Sequence, residues 1–250
     1  MPIRKSNITR PGRAALAAIA LLLAGAAVTA QAQDRGSKLY AEHCAACHGA
    51  KGDGEGPGAY ILAQRPRNFT LGVFKYRSTP SGQPPTDDDL LRTITHGLAG
   101  ANGAQMPSFA SLPEADRREL VGVVKRFAEI GQAGKPIALP SEPRTPNLKL
   151  GAAVYDRLQC ANCHGTEGRG DGESSTTLKD DDKRRIWAPD LTRGRYKRGD
   201  SPQDTYLAFA TGIDGSPMPS YAGKATPQEL WALTHYVRSL AKRNPATPSR

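Results

Sequence analysis

The sequence predicts an all-α protein built from two tandem domains. The first observation is a repeated motif, because Cys-Ala-Ala-Cys-His at 44–48 returns as Cys-Ala-Asn-Cys-His at 160–164. The second is that the surrounding segments also match, as with the Met-Pro-Ser of 106–108 and that of 218–220. The third is that apolar residues recur at helical spacing in both halves, whereas strand signals are almost absent. A repeat of about 100 residues indicates domain duplication rather than a short-period solenoid.

The repeated Cys-x-x-Cys-His motif is typical of covalent attachment of a c-type haem. Two thiols at this spacing can add to the two vinyl groups of one porphyrin, and the adjacent His can then ligate the iron from the proximal side. All four cysteines of the 250-residue chain lie in the two motifs. We therefore expect two covalently bound haem c groups, attached through Cys44, Cys47, Cys160 and Cys163, with His48 and His164 as proximal iron ligands.

Other sites that use paired cysteines fit this sequence less well. A redox dithiol does not require the following His and normally lies near a βαβ pattern, which the sequence lacks. A four-cysteine zinc site usually holds both pairs in one small knuckle, whereas 112 residues separate Cys47 from Cys160 here. The glycine-rich loops after both motifs follow no strand and lack the Gly-Lys-Ser/Thr ending of a phosphate loop.

The second iron ligands are predicted to be methionines. Apart from Met1 the chain has two, Met106 and Met218, and both precede Pro at matching positions of the repeat. A lone Met is more often a flexible core residue, but one per half at equivalent places favours ligation. The following prolines stiffen the loops that present the sulfur atoms, and a thioether ligand raises the reduction potential relative to a second His.

Three further histidines are interpreted as non-ligands. His96 precedes Gly97 in the first half, but its counterpart in the second half is Thr211, so a ligand role would break the symmetry of the repeat. His96 is therefore expected to make a loop or propionate contact. His43 is expected to face solvent on a helix, and His235 to be packed or exposed on the closing helix.

The chain divides into four predicted segments. A basic start, an apolar run from about Ala14 to Val28 and the sequence Ala-Gln-Ala at 30–32 are typical of a secretory signal, with an uncleaved anchor as the alternative. Four prolines between 136 and 146 favour an extended, semi-rigid spacer. The predicted organisation is a signal peptide over 1–32, a first domain over 33–134, a Pro-rich linker over 135–147 and a second domain over 148–250.

Each domain is predicted to contain helices in the same order. A short helix precedes the Cys-x-x-Cys-His motif, a mid-domain helix covers 87–95 or 202–210, and a longer helix closes the domain. Thr226 to Glu229 form a capping box with Pro227 at the first helical position. The closing helices carry apolar stripes made of Leu120, Val123, Val124 and Phe127 in the first domain and Leu230, Leu233, Val237 and Leu240 in the second.

The charge balance is weak support for a nucleic-acid partner. The net charge is +10, but four bases lie in the predicted signal, four haem propionates would offset much of the rest, and no basic patch is interleaved with aromatic residues. Residues 179–185 are interpreted as a solvated loop, with partner docking as the alternative. The bases that could either pair with propionates or form solvated loops are Arg65, Arg67, Arg193 and Arg195.

From about Gln33 to Lys242 each half resembles a class I cytochrome c. The similarity lies in an N-terminal helix with a Gly and an aromatic residue, the Cys-x-x-Cys-His motif, a long loop with a Met, and a closing helix. The resemblance implies that the first and last helices cross at the Gly. Gly36 would then meet the helix around Phe127, and Gly151 the helix around Tyr236.

The resemblance to dihaem cytochromes c implies a periplasmic electron carrier. Its partners would be redox proteins whose identity the sequence does not specify, with no nucleic acid and with membrane contact only through a partner complex. If both irons have His and Met ligands, no coordination position is open for a substrate. The alternative is a dihaem enzyme, either a peroxidase or a sulfur-compound oxidoreductase. The latter uses a distal Cys ligand, and no spare Cys exists here.

Overall fold

The computed structural model describes residues 35–62, 64–99 and 105–243. The predicted signal peptide over 1–32 therefore lies outside the described residues. Helices are the main regular structure of the described part, as the spacing of apolar residues predicts. None of the helices in these ranges combines the length and the apolar character that crossing a bilayer requires.

The first half contains four helices and one very short hairpin. A helix over 35–43 (α1) leads into the attachment motif. The hairpin, in which Leu98 pairs with Met106, is the one piece of regular sheet among the described residues, and the sequence did not predict it. The remaining elements are α2 (Ala45–His48), 3-10 turns at Ala59–Ile61 and Phe69–Leu71, α3 (Asp87–His96), β1 (Leu98–Ala99), β2 (Gln105–Met106) and α4 (Glu114–Phe127).

The second half repeats this helix order. Its mid-domain helix, like α3, extends one residue beyond the predicted end. The elements are α5 (Leu148–Arg157), α6 (Ala161–His164), 3-10 turns at Glu173–Thr176 and Leu191–Arg193, α7 (Pro202–Thr211) and α8 (Pro227–Arg243).

The mid-domain helices begin and end for local reasons. Thr86 and Asp89 form a capping box at the start of α3, and Ser201 accepts a hydrogen bond from the Asp204 backbone at the start of α7. Both helices end at glycines with positive φ, Gly97 and Gly212. These glycines turn the chain towards the two methionine segments.

The first and last helices of each half cross at a glycine. A Cβ on Gly151 would overlap the Ala232 carbonyl oxygen and lie 2.5 Å from the Tyr236 Cβ, so the predicted crossing is confirmed. A Cβ on Gly36 would lie 3.1 Å from a Val123 methyl, one turn before the predicted Phe127. The closing helices supply much of each core: Leu120, Val121, Val123 and Val124 in α4, and Leu230, Trp231, Leu233, Val237 and Leu240 in α8.

The Pro-rich connection between the halves is docked rather than free. Its Gly134 N–H donates to the Pro84 carbonyl at 3.1 Å, in the first half. The Trp231 indole N–H of α8 donates to the Pro140 carbonyl at 3.2 Å. The connection therefore touches both halves, which an extended spacer alone does not require.

Candidate haem sites

The two attachment motifs have the same backbone geometry. Each begins where a helix ends and forms one further helical turn, in which the His N–H donates to the carbonyl of the first Cys at 2.8 Å in the first half and 2.9 Å in the second. Residues three and four apart share one face of such a turn. The first Cys therefore shares a face with the second Cys and with the His, as attachment to one porphyrin requires.

Each candidate proximal histidine is oriented by a backbone carbonyl. The Nδ1 atom of His48 lies 3.0 Å from the Arg67 carbonyl oxygen, and that of His164 lies 3.4 Å from the Pro189 carbonyl oxygen. A proton on Nδ1 leaves the Nε2 lone pair for a metal, which is the usual arrangement of a ligating His. Burial lowers the pKa of both imidazoles, so both favour the neutral form that binds metal.

The segments that carry these two carbonyls are held by matching contacts two residues further along the chain. The Phe69 N–H donates to the Gly52 carbonyl at 2.7 Å, and the Leu191 N–H donates to the Gly168 carbonyl at 2.7 Å. In the first half the Phe69 ring also stacks on the His48 ring with centroids 4.5 Å apart. The glycine-rich loops thus hold the segments whose carbonyls orient the two histidines.

The structure places Met218 in the same cavity as the second attachment motif. This cavity has a volume of about 290 Å³, and its walls include Cys160, Cys163, His164 and Met218. The Ile213 N–H donates to the Met218 carbonyl at 3.1 Å. The four candidate haem residues of the second half are therefore brought together.

In the first half Met106 is held in the short hairpin. Its backbone pairs with Leu98, which matches the bond between Ile213 and Met218 in the second half. Met106 packs against the first core, as do Cys44 and Phe109. Residues 100–104, directly before it, lie outside the described residues.

The cavity that contains the second attachment motif suits the acid groups of a haem. Among the described residues, several buried donors on its wall have no hydrogen-bond partner. Unpaired buried donors are costly, and guanidinium groups bind carboxylates well. The residues present therefore fit a group that carries propionates. The donors without a hydrogen bond are Arg65 Nη1, Arg67 Nε, Arg184 Nη1, Tyr196 Oη and Arg198 Nε. Two of them, Arg65 Nη1 and Arg198 Nε, have a carboxylate at 3.7 and 3.8 Å.

Two lysines that the sequence analysis missed also line this cavity. Lys75 comes from the first half and Lys197 from the second, and within the described ranges neither has a carboxylate within 4.0 Å. Burial, followed by repulsion from Lys75, lowers the pKa of Lys197 to about 8. Burial also lowers the pKa of Lys75. The two lysines occupy equivalent positions of the repeat, so the alignment of the halves contained a signal for them.

Three of the four predicted arginines lie on the cavity wall, namely Arg65, Arg67 and Arg195. Arg193 does not, and its Nε atom lies 3.4 Å from Asp190. Residues 179–185 are exposed or half-buried, as a solvated loop requires, but they also contact the first half: Asp181 bonds Arg67 at 2.6 Å and Arg184 pairs with Glu55. This loop thus contacts the other half of the protein. The residues next to it in the sequence carry no signal for such a distant contact.

The other histidines lie away from this cavity. His43 stands beside Phe109, with ring centroids 6.1 Å apart, and His96 is exposed at the end of α3. His235 lies 2.9 Å from Glu142 of the connection between the halves. None of these three histidines lines the cavity that contains the second attachment motif.

Comparison with known families gives one match in each half. The family model described as "Cytochrome c" matches residues 148–241. The model described as "Cytochrome C oxidase, cbb3-type, subunit III" matches residues 31–123. Both halves therefore have the sequence features of a cytochrome c domain.

Similar proteins include subunits of cbb3-type cytochrome c oxidases. The Cbb3-type cytochrome c oxidase subunit FixP of Azorhizobium caulinodans is 25% identical over 224 residues, which cover 84% of this chain and 60% of that protein. The Cbb3-type cytochrome c oxidase subunit CcoP of Rubrivivax gelatinosus is 27% identical over 214 residues, which cover 85% of this chain and 56% of that protein. The chain thus spans 56–60% of the length of these two relatives.

A solved structure matches more of its own length. This chain is 41% identical to a chain of a reducing HAO-like protein complex from Kuenenia stuttgartiensis, with a TM-score of 0.79. The match covers 82% of this chain and 95% of that one.

Proposed function

Because this chain belongs to the dihaem c-type cytochromes, with a covalently bound haem c in each domain, we propose that it transfers single electrons between redox proteins. Its proposed location is the periplasm, because the two haem-attachment motifs follow a predicted export signal. The haem groups supply the change of iron oxidation state. The polypeptide binds them, orients the iron ligands and excludes water.

The proposed haem contacts are those that the sequence predicts. The carbonyl contacts at His48 and His164 support these two residues as proximal ligands. The position of Met218 beside His164 in one cavity supports its role as the opposite ligand, and the repeat extends this role to Met106. The proposed attachment residues are Cys44, Cys47, Cys160 and Cys163.

The single observation that carries the proposal is the duplicated histidine arrangement. Both halves fix an imidazole through Nδ1 to a loop carbonyl and present Nε2 for a metal. With Met on the opposite side, each iron would have all its positions filled. An electron carrier needs no open position, whereas a peroxidase does.

We further propose that the protein works bound to a larger redox complex. The oxidase relatives are named as subunits, and the solved relative is a chain of a complex. Contact with a membrane would then come through that complex. The proposed domain boundaries remain 33–134 and 148–250, with residues 1–32 as the export signal and 135–147 as the linker.

The test is visible and near-infrared spectroscopy of the purified holoprotein with redox titration. Pigment that stays bound after denaturation counts the covalent haems. Met106→Ala and Met218→Ala should each remove about half of the Met–iron charge-transfer band, because each Met is proposed to serve one of two haems. A full band in either variant would reject that ligand. Rapid peroxide consumption by the resting wild type would reject the carrier function.

A further inference from the structure

The segment that leads to Met218 is held by residues of the other half. Thr211 ends α7, and residues 212–217 connect it to the methionine. Within this connection the Ser216 hydroxyl donates to the Ile213 carbonyl at 2.7 Å, and the Ile213 N–H donates to the Met218 carbonyl at 3.1 Å. The position of the sulfur therefore depends on how residues 211–214 are fixed.

Arg77 of the first half contacts both ends of that stretch. One of its terminal nitrogens, Nη2, donates to the Thr211 carbonyl at 3.0 Å and lies 2.7 Å from the Asp214 carboxylate. The Arg77 side chain is 1% exposed. Its other nitrogens donate to the carbonyls of Phe74 and Pro80, at 3.3 and 3.2 Å, within the first half. The guanidinium is thus held by carbonyls of the first half and also bonds to residues of the second half.

Asp214 receives two more bonds from the first half. The Ser81 hydroxyl donates to one carboxylate oxygen at 2.7 Å, and the Gly82 N–H donates to the other at 2.8 Å. One carboxylate of the methionine segment is therefore held by three groups that all belong to the first half. Charged hydrogen bonds of this kind are stronger than neutral ones, and a buried ion pair is costly to break on one side.

We propose that Arg77 is a positioning residue for Met218, so that the axial ligand of the second haem depends on docking of the first domain. The inference rests on the proposed role of Met218 as an iron ligand. We call the bonds from Arg77, Ser81 and Gly82 to Asp214 the clamp. Through this clamp the first half would restrain the second iron from exchanging its methionine for another ligand. Loss of the clamp would lengthen or release the Met218 contact without touching the attachment motif.

The test is an imidazole titration of the full-length oxidised holoprotein. Imidazole competes with Met for the iron, and the loss of the Met–iron band reports displacement at each haem. In Arg77→Gln, half of the band should disappear at an imidazole concentration about tenfold lower than in wild type, the effect of losing a charged hydrogen bond. The other half should titrate as before.

Arg92→Gln is the matched control. Arg92 of the first half also pairs with an aspartate of the second, Asp204 at 2.8 Å, but this contact lies at the start of α7, away from the methionine segment. If Arg77→Gln and Arg92→Gln titrate alike, the clamp is rejected. If Arg77→Gln does not fold, Asp214→Asn provides the same comparison, because it weakens the same pair and leaves the guanidinium in place.

Met218→Ala separates this proposal from the one on which it rests. If Met218→Ala retains the full band, the ligand assignment fails, and the clamp fails with it. If Met218→Ala removes half of the band but Arg77→Gln and Asp214→Asn both titrate as wild type, the carrier function stands and only the clamp is overturned.

Discussion

Lys75 and Lys197 are two half-buried lysines that lie at the second haem site. They come from different halves, and both line the cavity that holds His164 and Met218. Desolvation favours the neutral forms of the two amines, and Asp180, Asp181 and Asp182 only partly oppose this at Lys75, whose pKa stays lowered. The propionates of a bound haem would add negative charge at this site. The lysines would in turn act on the iron, since a nearby positive charge favours the reduced state.

A pH titration of the two midpoint potentials tests this electrostatic role. Burial lowers the pKa of Lys197 to about 8, and bound carboxylates would raise that pKa again. The potential of the second haem should therefore fall as the pH rises through a transition at about 8 or above, where Lys197 loses its charge. Lys197→Met should abolish the transition and lower the potential at neutral pH by roughly tens of millivolts, as expected for one charge at an effective dielectric constant of about 20.

The exposed Lys179 provides the control for this experiment. Lys179→Met removes the same charge from the surface, where solvent and salt screen it, so the transition should persist. An unchanged pH profile in Lys197→Met would show that this amine does not act on the haem.

At the scale of the elements, the crossing of α5 and α8 is the tightest helix contact that a glycine allows here. Gly151 has Ala232 and Tyr236 directly against its Cα, whereas Gly36 has more room beside Val123. The two equivalent crossings thus differ in how well they would accommodate a side chain in place of the glycine. The Ala232 carbonyl group belongs to the backbone of α8 and the Tyr236 Cβ is attached to it, so neither can move aside as the end of a flexible side chain can.

Gly151→Ala should lower the free energy of unfolding of the holoprotein by at least about 2 kcal/mol, since overpacking exceeds the gain in helix propensity. Gly122→Ala is the control, because an added Cβ there meets only the end of Arg126 at 3.7 Å. That variant should be stabilised by about 1 kcal/mol. Denaturant unfolding followed by the haem absorbance measures both. Equal effects of the two substitutions would contradict a close crossing at Gly151.

At the scale of the whole molecule, buried polar contacts set how the halves dock. Arg198 is 8% exposed and donates to the Arg77 carbonyl of the first half at 2.7 Å. It also lies 4.0 Å from Asp89 and 3.8 Å from Asp204, and burial lowers its pKa to about 10. One side chain thereby links carboxylates of both halves. The docked connection over 131–147 reinforces this arrangement.

Arg198→Gln should loosen the docking of the halves and speed proteolysis of the connection. Removing a charged hydrogen bond costs about 1.5–3 kcal/mol, so trypsin should cleave after Arg144 about tenfold faster or more, in the regime where cleavage follows the open population. Arg238→Gln is the control, because Arg238 bonds Thr205 within the second half. Equal cleavage rates in the two variants would show that Arg198 does not hold the halves together.

Much of the fold and of the candidate sites could be predicted because the signals are local. The Cys-x-x-Cys-His motif fits one helical turn, and the caps at Thr86 and Ser201 lie directly beside the helices they start. The mid-domain helices were predicted to within one residue. The hairpin at Leu98 and Met106 could not be predicted, because two-residue strands leave no alternating pattern.

The sequence by itself determined that there are two haem-binding units and which residues of each motif are suited to attachment and ligation. Only the tertiary structure decided that Lys75 and Arg67 of the first half enter the cavity of the second, and that Arg77 holds the segment before Met218. Short-range patterns record helical periods and turn chemistry. They do not record which surfaces meet when two folded domains dock, because those contacts join residues more than 100 positions apart.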